Sequence, residues 1–109
     1  QQSFSILPRN LSVIQGQSAE LKCSVSNRRG SIQWTKDGFA LGYDRDIPGF
    51  RRYSIIGNNE RDFNLLITNT MIIDDAEYQC QVGPAQSNPP ISHGAYLTIL
   101  GKFFLPFVL

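Results

Sequence analysis

The run Asp74-Asp75-Ala76-Glu77-Tyr78-Gln79-Cys80-Gln81-Val82 decides how the rest of the chain must fold. In it Tyr78, Cys80 and Val82 alternate with Gln79 and Gln81, the two-residue period of a strand with one face in a core and one in water. The chain holds one other cysteine, Cys23, 57 positions earlier. Around it Ala19, Leu21, Cys23 and Val25 alternate with Ser18, Glu20, Lys22 and Ser24, so Cys23 also faces inward. Ile32 and Trp34 keep that parity, with Gln33 and Thr35 turned the other way. Neither cysteine sits in a CxxC or Cys/His cluster, which removes the zinc reading.

The remaining segments are short strands between turn signals, with no stretch of helical period. Strands are expected at Ser3–Leu7 and Leu11–Ile14, interrupted by Pro8, which cannot donate to a ladder and marks a kinked sheet edge. Lys36-Asp37-Gly38 carries a tight-hairpin signal and leads to a short strand, Phe39–Tyr43. Pro48-Gly49 is a further turn. Tyr53–Ile56, Phe63–Ile67 and Ala95–Ile99 complete about nine strands, and Pro84, Pro89 and Pro90 stiffen a strand-free loop before the last.

Cys23, Trp34 and Cys80 together name the fold. Two packed sheets are tied across a gap of about 10 Å by an inter-sheet disulfide with a tryptophan beside it. Tyr78, two residues before Cys80, occupies the place of the tyrosine corner, whose hydroxyl returns to the backbone. The predicted fold is all-β, an immunoglobulin-like β-sandwich (V/I-set) of two antiparallel sheets over residues 1–100. A disulfide closing so long a loop contributes on the order of 4 kcal/mol in the chain-entropy model and implies an oxidising compartment.

Composition sets outer limits. The 109 residues fit one domain, and a hydrophobic fraction of 41% is enough for a modest core. A formal charge of +1 gives no broad field for nucleic acid or an anionic membrane. Arg28–Arg29 and Arg51–Arg52 are expected to be solvated loop pairs. No run reaches the ~20 apolar residues of a membrane span, so direct membrane insertion is not expected. The polar opening Gln1-Gln2-Ser3 is what a secreted chain shows once its leader has been removed. Residues 101–109, Gly-Lys-Phe-Phe-Leu-Pro-Phe-Val-Leu, form an apolar tail, expected to mark a splice junction or an artificial chain end.

Asp74-Asp75-Ala76-Glu77-Tyr78-Gln79-Cys80 matches the D-x-A-x-Y-x-C pattern of the immunoglobulin superfamily. In variable-like members that aspartate pairs with an arginine at the start of strand D, earlier in the chain, a place that Arg52 fills here just before Tyr53; the resemblance therefore implies a structural ion pair between Arg52 and Asp74. The last strand lacks the Gly-x-Gly bulge of antigen receptors, which argues against that class. Gln33-Trp34-Thr35-Lys36-Asp37-Gly38-Phe39-Ala40-Leu41-Gly42 resembles the QWTKDGxALG segment in the first immunoglobulin domain of the Neph, Kin-of-IRRE and Roughest adhesion receptors. Pro48-Gly49-Phe50, Arg52-Tyr53-Ser54 and Tyr78-Gln79-Cys80-Gln81-Val82 extend the likeness over roughly residues 4–100. The resemblance implies cell-surface adhesion, with the same domain or a nephrin-like receptor as partner in a homodimer or heterodimer. From Leu100 onward the sequence departs from the family, whose members continue into a second domain.

Few residues suggest catalysis, and no enzyme is expected. His93 is the chain's one histidine and lies by the proline-rich loop, and no phosphate loop, HExxH or GxSxG is present. No cofactor or metal is expected, since the adjacent side chains of Asp74 and Asp75 point apart. A binding surface has better support. Strand parity turns Gln33, Thr35, Gln79 and Gln81 outward on one sheet, with Phe39, Leu41 and Tyr43 expected at its border, although Leu41 could instead cap the core. In that fold these strands are C, F and C′. None of the seven is charged, whereas Glu20 and Lys22 point outward on the other sheet. Interface cores are poor in charge and rich in aromatics. The competing reading is a spacer module with no binding surface of its own. Asn10-Leu11-Ser12 is an N-glycosylation sequon just beyond Pro8.

Overall fold

The computed structural model describes residues 1–57 and 60–101. Ten strands follow in chain order: β1 Ser3–Ile6, β2 Leu11–Ile14, β3 Ala19–Leu21, β4 Ser24–Ser26, β5 Ile32–Lys36, β6 Phe39–Ala40, β7 Tyr53–Ile56, β8 Asn64–Ile67, β9 Ala76–Val82 and β10 Ile91–Leu100. A single 3₁₀ turn, Ile72–Asp74, precedes β9. One sheet has the order β2-β10-β9-β5-β6; the other is built from β3-β8-β7 together with the β1-β4 pair.

The split of one expected strand into β3 and β4 has a local cause. The Cys23 amide donates its hydrogen bond to the side chain of Asn64, Oδ1 at 3.0 Å, in place of a ladder carbonyl. Pairing with β8 ends at Leu21↔Leu65, and pairing with β1 begins at Ser24↔Ile6. One pair departs from the antiparallel rule: β2 runs parallel to β10, Leu11 opposite Leu97 through Ile14 opposite Leu100. Pro8 breaks the first strand, and the chain crosses there from one sheet to the other, so its second half joins β10 with the opposite relative direction.

The core lies between the sheets. Leu21, Cys23, Trp34, Leu65, Ile67, Tyr78, Cys80 and Leu97 are all almost wholly buried. Cys23 and Cys80 form a disulfide that joins the sheets. Trp34 lies opposite Cys80 in the β5–β9 ladder and donates its indole N–H to the Phe63 carbonyl at 2.8 Å. That bond satisfies the polar end of an otherwise buried ring, as burial of tryptophan requires.

Two expectations about strands need correcting. The segment Phe39–Tyr43 holds only two strand residues, because Leu41 bonds through its amide to the Trp34 carbonyl and Gly42 then turns the chain at φ 103°. The final strand begins at Ile91, earlier than expected, directly after Pro90. The Asp37-Gly38 hairpin forms with both residues at positive φ, 48° and 83°, as a two-residue loop between paired Lys36 and Phe39 demands. Of the apolar tail, residues 102–109 lie outside the described residues.

Candidate recognition face

Strands β10, β9 and β5 lay out the solvent side of the larger sheet as cross-strand rows. Ile32, Trp34, Tyr78, Cys80 and Val82 must face the disulfide, so their neighbours in sequence turn away from it. The first row is Gln33–Gln81–Ser92 and the second is Thr35–Gln79–Gly94, with Ala40 of β6 beside Thr35. Glu77 and Tyr96 form the third row. Three amides thus sit together at the centre. Gln81 Nε2 donates to Gln79 Oε1 at 3.0 Å, and Gln33 Nε2 donates to the Tyr43 hydroxyl at 3.3 Å. Each amide carries further donors and acceptors that these bonds leave open.

A shallow depression of about 320 Å³ opens where Gln33, Tyr43, Gln81, Ile91 and Ser92 meet. Gly94 keeps the second row low: a Cβ there would come within 3.1 Å of both Gln79 Cγ and Glu77 Oε2. Charge enters only at the far end of the face, at Glu77, beyond the amides. Nearby, Asp75 accepts from the Ile99 amide at 2.9 Å and the Tyr96 hydroxyl at 2.7 Å. These bonds hold the Asp75 carboxyl below its ordinary range and push the Tyr96 phenol up.

Three of the seven residues expected on this face are placed otherwise. Leu41 is 5% exposed and belongs to the core, because its amide bond to Trp34 holds it with inward parity. Phe39 is well exposed, but it pairs with inward-parity Lys36 and so lies on the other side of the sheet, 6.5 Å from the Phe50 ring at the open edge of the sandwich. Thr35 has the expected outward parity but is only 4% exposed, between Gln79 and Ala40 on the neighbouring strands. The residues brought together at the surface are Gln33, Tyr43, Gln79 and Gln81. Sequence reading missed Ser92, Gly94 and Tyr96, although the inward parity of Ala95 and Leu97 was a usable signal for the last two.

A second polar cluster closes the opposite end of the sandwich. Arg52 grips Asp74 with both terminal nitrogens, Nη1 to Oδ2 at 2.6 Å and Nη2 to Oδ1 at 2.9 Å. The Asp74 side chain is fully buried and that of Arg52 is 25% exposed. Burial alone would raise the Asp74 pKa. Hydrogen bonds from Arg52, the Tyr53 hydroxyl and the Met71 amide outweigh it and hold the carboxyl below its ordinary value. The Tyr78 hydroxyl donates to the Asp74 carbonyl at 2.7 Å, the tyrosine corner. Tyr53 was the member that sequence reading left out. Its phenol and that of Tyr78 are pushed well up by burial and by these neighbours. Asp74 and Asp75 are therefore committed to different partners.

Elsewhere, Arg28 is not a freely solvated loop residue. Its guanidinium lies 5.1 Å from the Phe63 ring centre, with that of Arg45 at 4.5 Å, a cation–π arrangement. His93 stands opposite Cys80 in the β9–β10 ladder yet is exposed, by the gap between β1 and β10. Among the described residues no three His, Cys, Asp or Glu side chains gather where a metal ion could be held.

The immunoglobulin V-set domain model matches residues 6–100. The chain belongs to that family. This V-set domain is 41% identical over 102 residues to the irregular chiasm C-roughest protein of Drosophila melanogaster, covering 91% of this chain and 13% of the relative. It is 46% identical over 99 residues to human nephrin, covering 89% of this chain and 8% of nephrin. Among solved structures, Duf (Kirre) D1 superposes with a TM-score of 0.89 at 42% identity, covering 94% of this chain and 99% of that one. The V-set domain is thus homologous to adhesion receptors of the Neph, Kin-of-IRRE and Roughest family. It spans roughly a tenth of the length of the curated relatives it matches.

Proposed function

We propose that this V-set domain is an extracellular adhesion module. In this reading it binds a second immunoglobulin domain, another copy of itself or a nephrin-like receptor, through the outward side of β5, β9 and β10. The observation that carries it is the uncharged centre of that face, where Gln33, Gln81 and Tyr43 line a shallow depression and Gln79 bonds to Gln81 beside it. A solvated sheet usually keeps its charges, whereas an interface core sheds them and retains aromatics. Amides offer a donor and an acceptor on one side chain, so two such faces can pair without either bringing a charge out of water. Likeness to the Roughest protein and to nephrin supports a protein partner and a cell-surface setting.

The test places a charge where the proposed interface is driest. Gln33→Glu and Gln81→Arg should each abolish adhesion of beads or cells coated with the domain, because a charge buried without a partner is costly. Both positions face outward, so circular dichroism and the unfolding midpoint should stay near those of the parent. Full adhesion by both folded variants would show that partners bind elsewhere.

A further inference from the structure

The two halves of the broken first strand, β1 and β2, are both sheet edges. Among the described residues β1 pairs only with β4 and β2 only with β10, and the chain passes between them through residues 7–10. Apolar surface lies open at this crossing: Ile6 is 47% exposed and Leu7 43%. With Leu11, Asn10 and the stems of Glu20 and Lys22 they line a shallow groove of about 330 Å³. Strand edges bordered by apolar side chains invite pairing with other chains and are normally covered, kinked or charged. Pro8 supplies the kink, but it leaves the groove open.

The same crossing carries the chain's one Asn-x-Ser/Thr sequence, Asn10-Leu11-Ser12. Asn10 and Ser12 are exposed. The Asn10 carbonyl oxygen, Oδ1, accepts from the Tyr96 amide at 2.8 Å, which fixes the side chain against β10. Glycosylation engages the other atom of that amide, Nδ2, so the bond to Tyr96 is compatible with a sugar.

We propose that Asn10 carries an N-linked glycan whose first N-acetylglucosamine lies over the groove of Ile6, Leu7 and Leu11. The donor class is a lipid-diphosphate-linked oligosaccharide. Asn10 Nδ2 forms a bond to the anomeric carbon, the carbon–oxygen bond to the diphosphate breaks, one amide proton is lost, and the lipid diphosphate leaves. The apolar face of the sugar covers the exposed aliphatic side chains, while its hydroxyls meet the water. A glycan here blocks strand addition at the β1 and β2 edges and lies outside the amide face. The proposal rests on the extracellular reading above, since this chemistry belongs to the secretory route.

The test uses the full chain secreted from eukaryotic cells. Its intact mass should exceed that of the polypeptide, and peptide N-glycosidase should remove the excess and convert Asn10 to aspartate. Ser12→Ala, which leaves Asn10 and its bond to Tyr96 in place, should lose the excess mass while keeping the fold. In the glycosylated protein, nuclear Overhauser contacts should join the first sugar to methyl groups of Ile6, Leu7 or Leu11. The amides of Leu11–Ile14 should exchange more slowly than in Ser12→Ala. A secreted, folded parent without the added mass overturns the proposal. A glycan without those contacts or that protection overturns its seat on the groove. Neither result touches the amide face, whose test is adhesion by Gln33→Glu and Gln81→Arg.

Discussion

The Arg52–Asp74 end of the sandwich and the amide face are both polar, and they treat their hydrogen-bonding capacity in opposite ways. At the buried end every partner is internal: the Asp74 carboxylate accepts from Arg52, Tyr53 and the Met71 amide, and Tyr78 closes onto its carbonyl. Low dielectric makes any unmet group there expensive, so the cluster is either complete or the fold suffers. On the face, Gln33, Gln79 and Gln81 are half-buried, bonded once to one another or to Tyr43, and have capacity to spare. A closed network holds a structure together; an open one is suited to meeting a partner.

The contrast predicts where mutations register. Arg52→Ala strips the grip from a fully buried carboxylate and should cost about 3–5 kcal/mol, read from chemical denaturation, because an uncompensated buried charge is left behind. A loss below about 1 kcal/mol would mean that the pair behaves as an exposed one, and the contrast would fail.

Acid probes the same end without mutation. The folded Asp74 pKa lies below its ordinary value, so the stability it contributes is complete above about pH 4 and is lost as pH falls through the lower folded value. Asp75, held low by Ile99 and Tyr96, acts in the same direction. An unfolding midpoint that drops on acidification below that range in the parent, and drops less in Asp74→Asn, would confirm the sign. An identical drop in both would remove Asp74 from the account.

The smallest effect belongs to the face. Gln79→Ala gives up one amide pairing that water can replace and should change stability by less than about 1 kcal/mol. A larger loss would show that the face is part of the fold's own support and has little freedom for a partner.

The fold was legible because its signals are inward-facing and periodic. Cys23, Trp34, Tyr78 and Cys80 declare a shared parity, and parity survives in sequence as a period of two. The Arg52–Asp74 pair came from a familiar pattern, but Tyr53 did not, since a tyrosine beside an arginine carries no periodic mark. Outward parity was legible on β5 and β9, whose registers are anchored by Trp34 and Cys80. It failed on the stretch after Asp37-Gly38, where the two-residue turn puts Phe39 opposite inward-facing Lys36 and leaves Leu41 in the core. Sequence spacing alone could not settle which way that short strand rolls. Thr35 failed for another reason: parity says which side a residue takes, while burial depends on what stands beside it.

Gln2, for which the sequence offers no motif, is 4% exposed and bound on every side. Its amide nitrogen donates to the carbonyls of Gly83 and Pro89, its carbonyl oxygen accepts from the amides of Arg29 and Gly30, and its backbone N–H meets Asn88 Oδ1. Three of these contacts reach across 81, 86 and 87 positions of chain. On a ribosome, the segment around Gln2 emerges well before the loop that will hold it, and it cannot be secured until residues 83–89 have followed. Contacts of such separation form late, after the cost of closing the intervening chain has been met. The segment made early must therefore wait for the loop that follows β9, and until then the neighbouring β1 edge is open to whatever else is nearby.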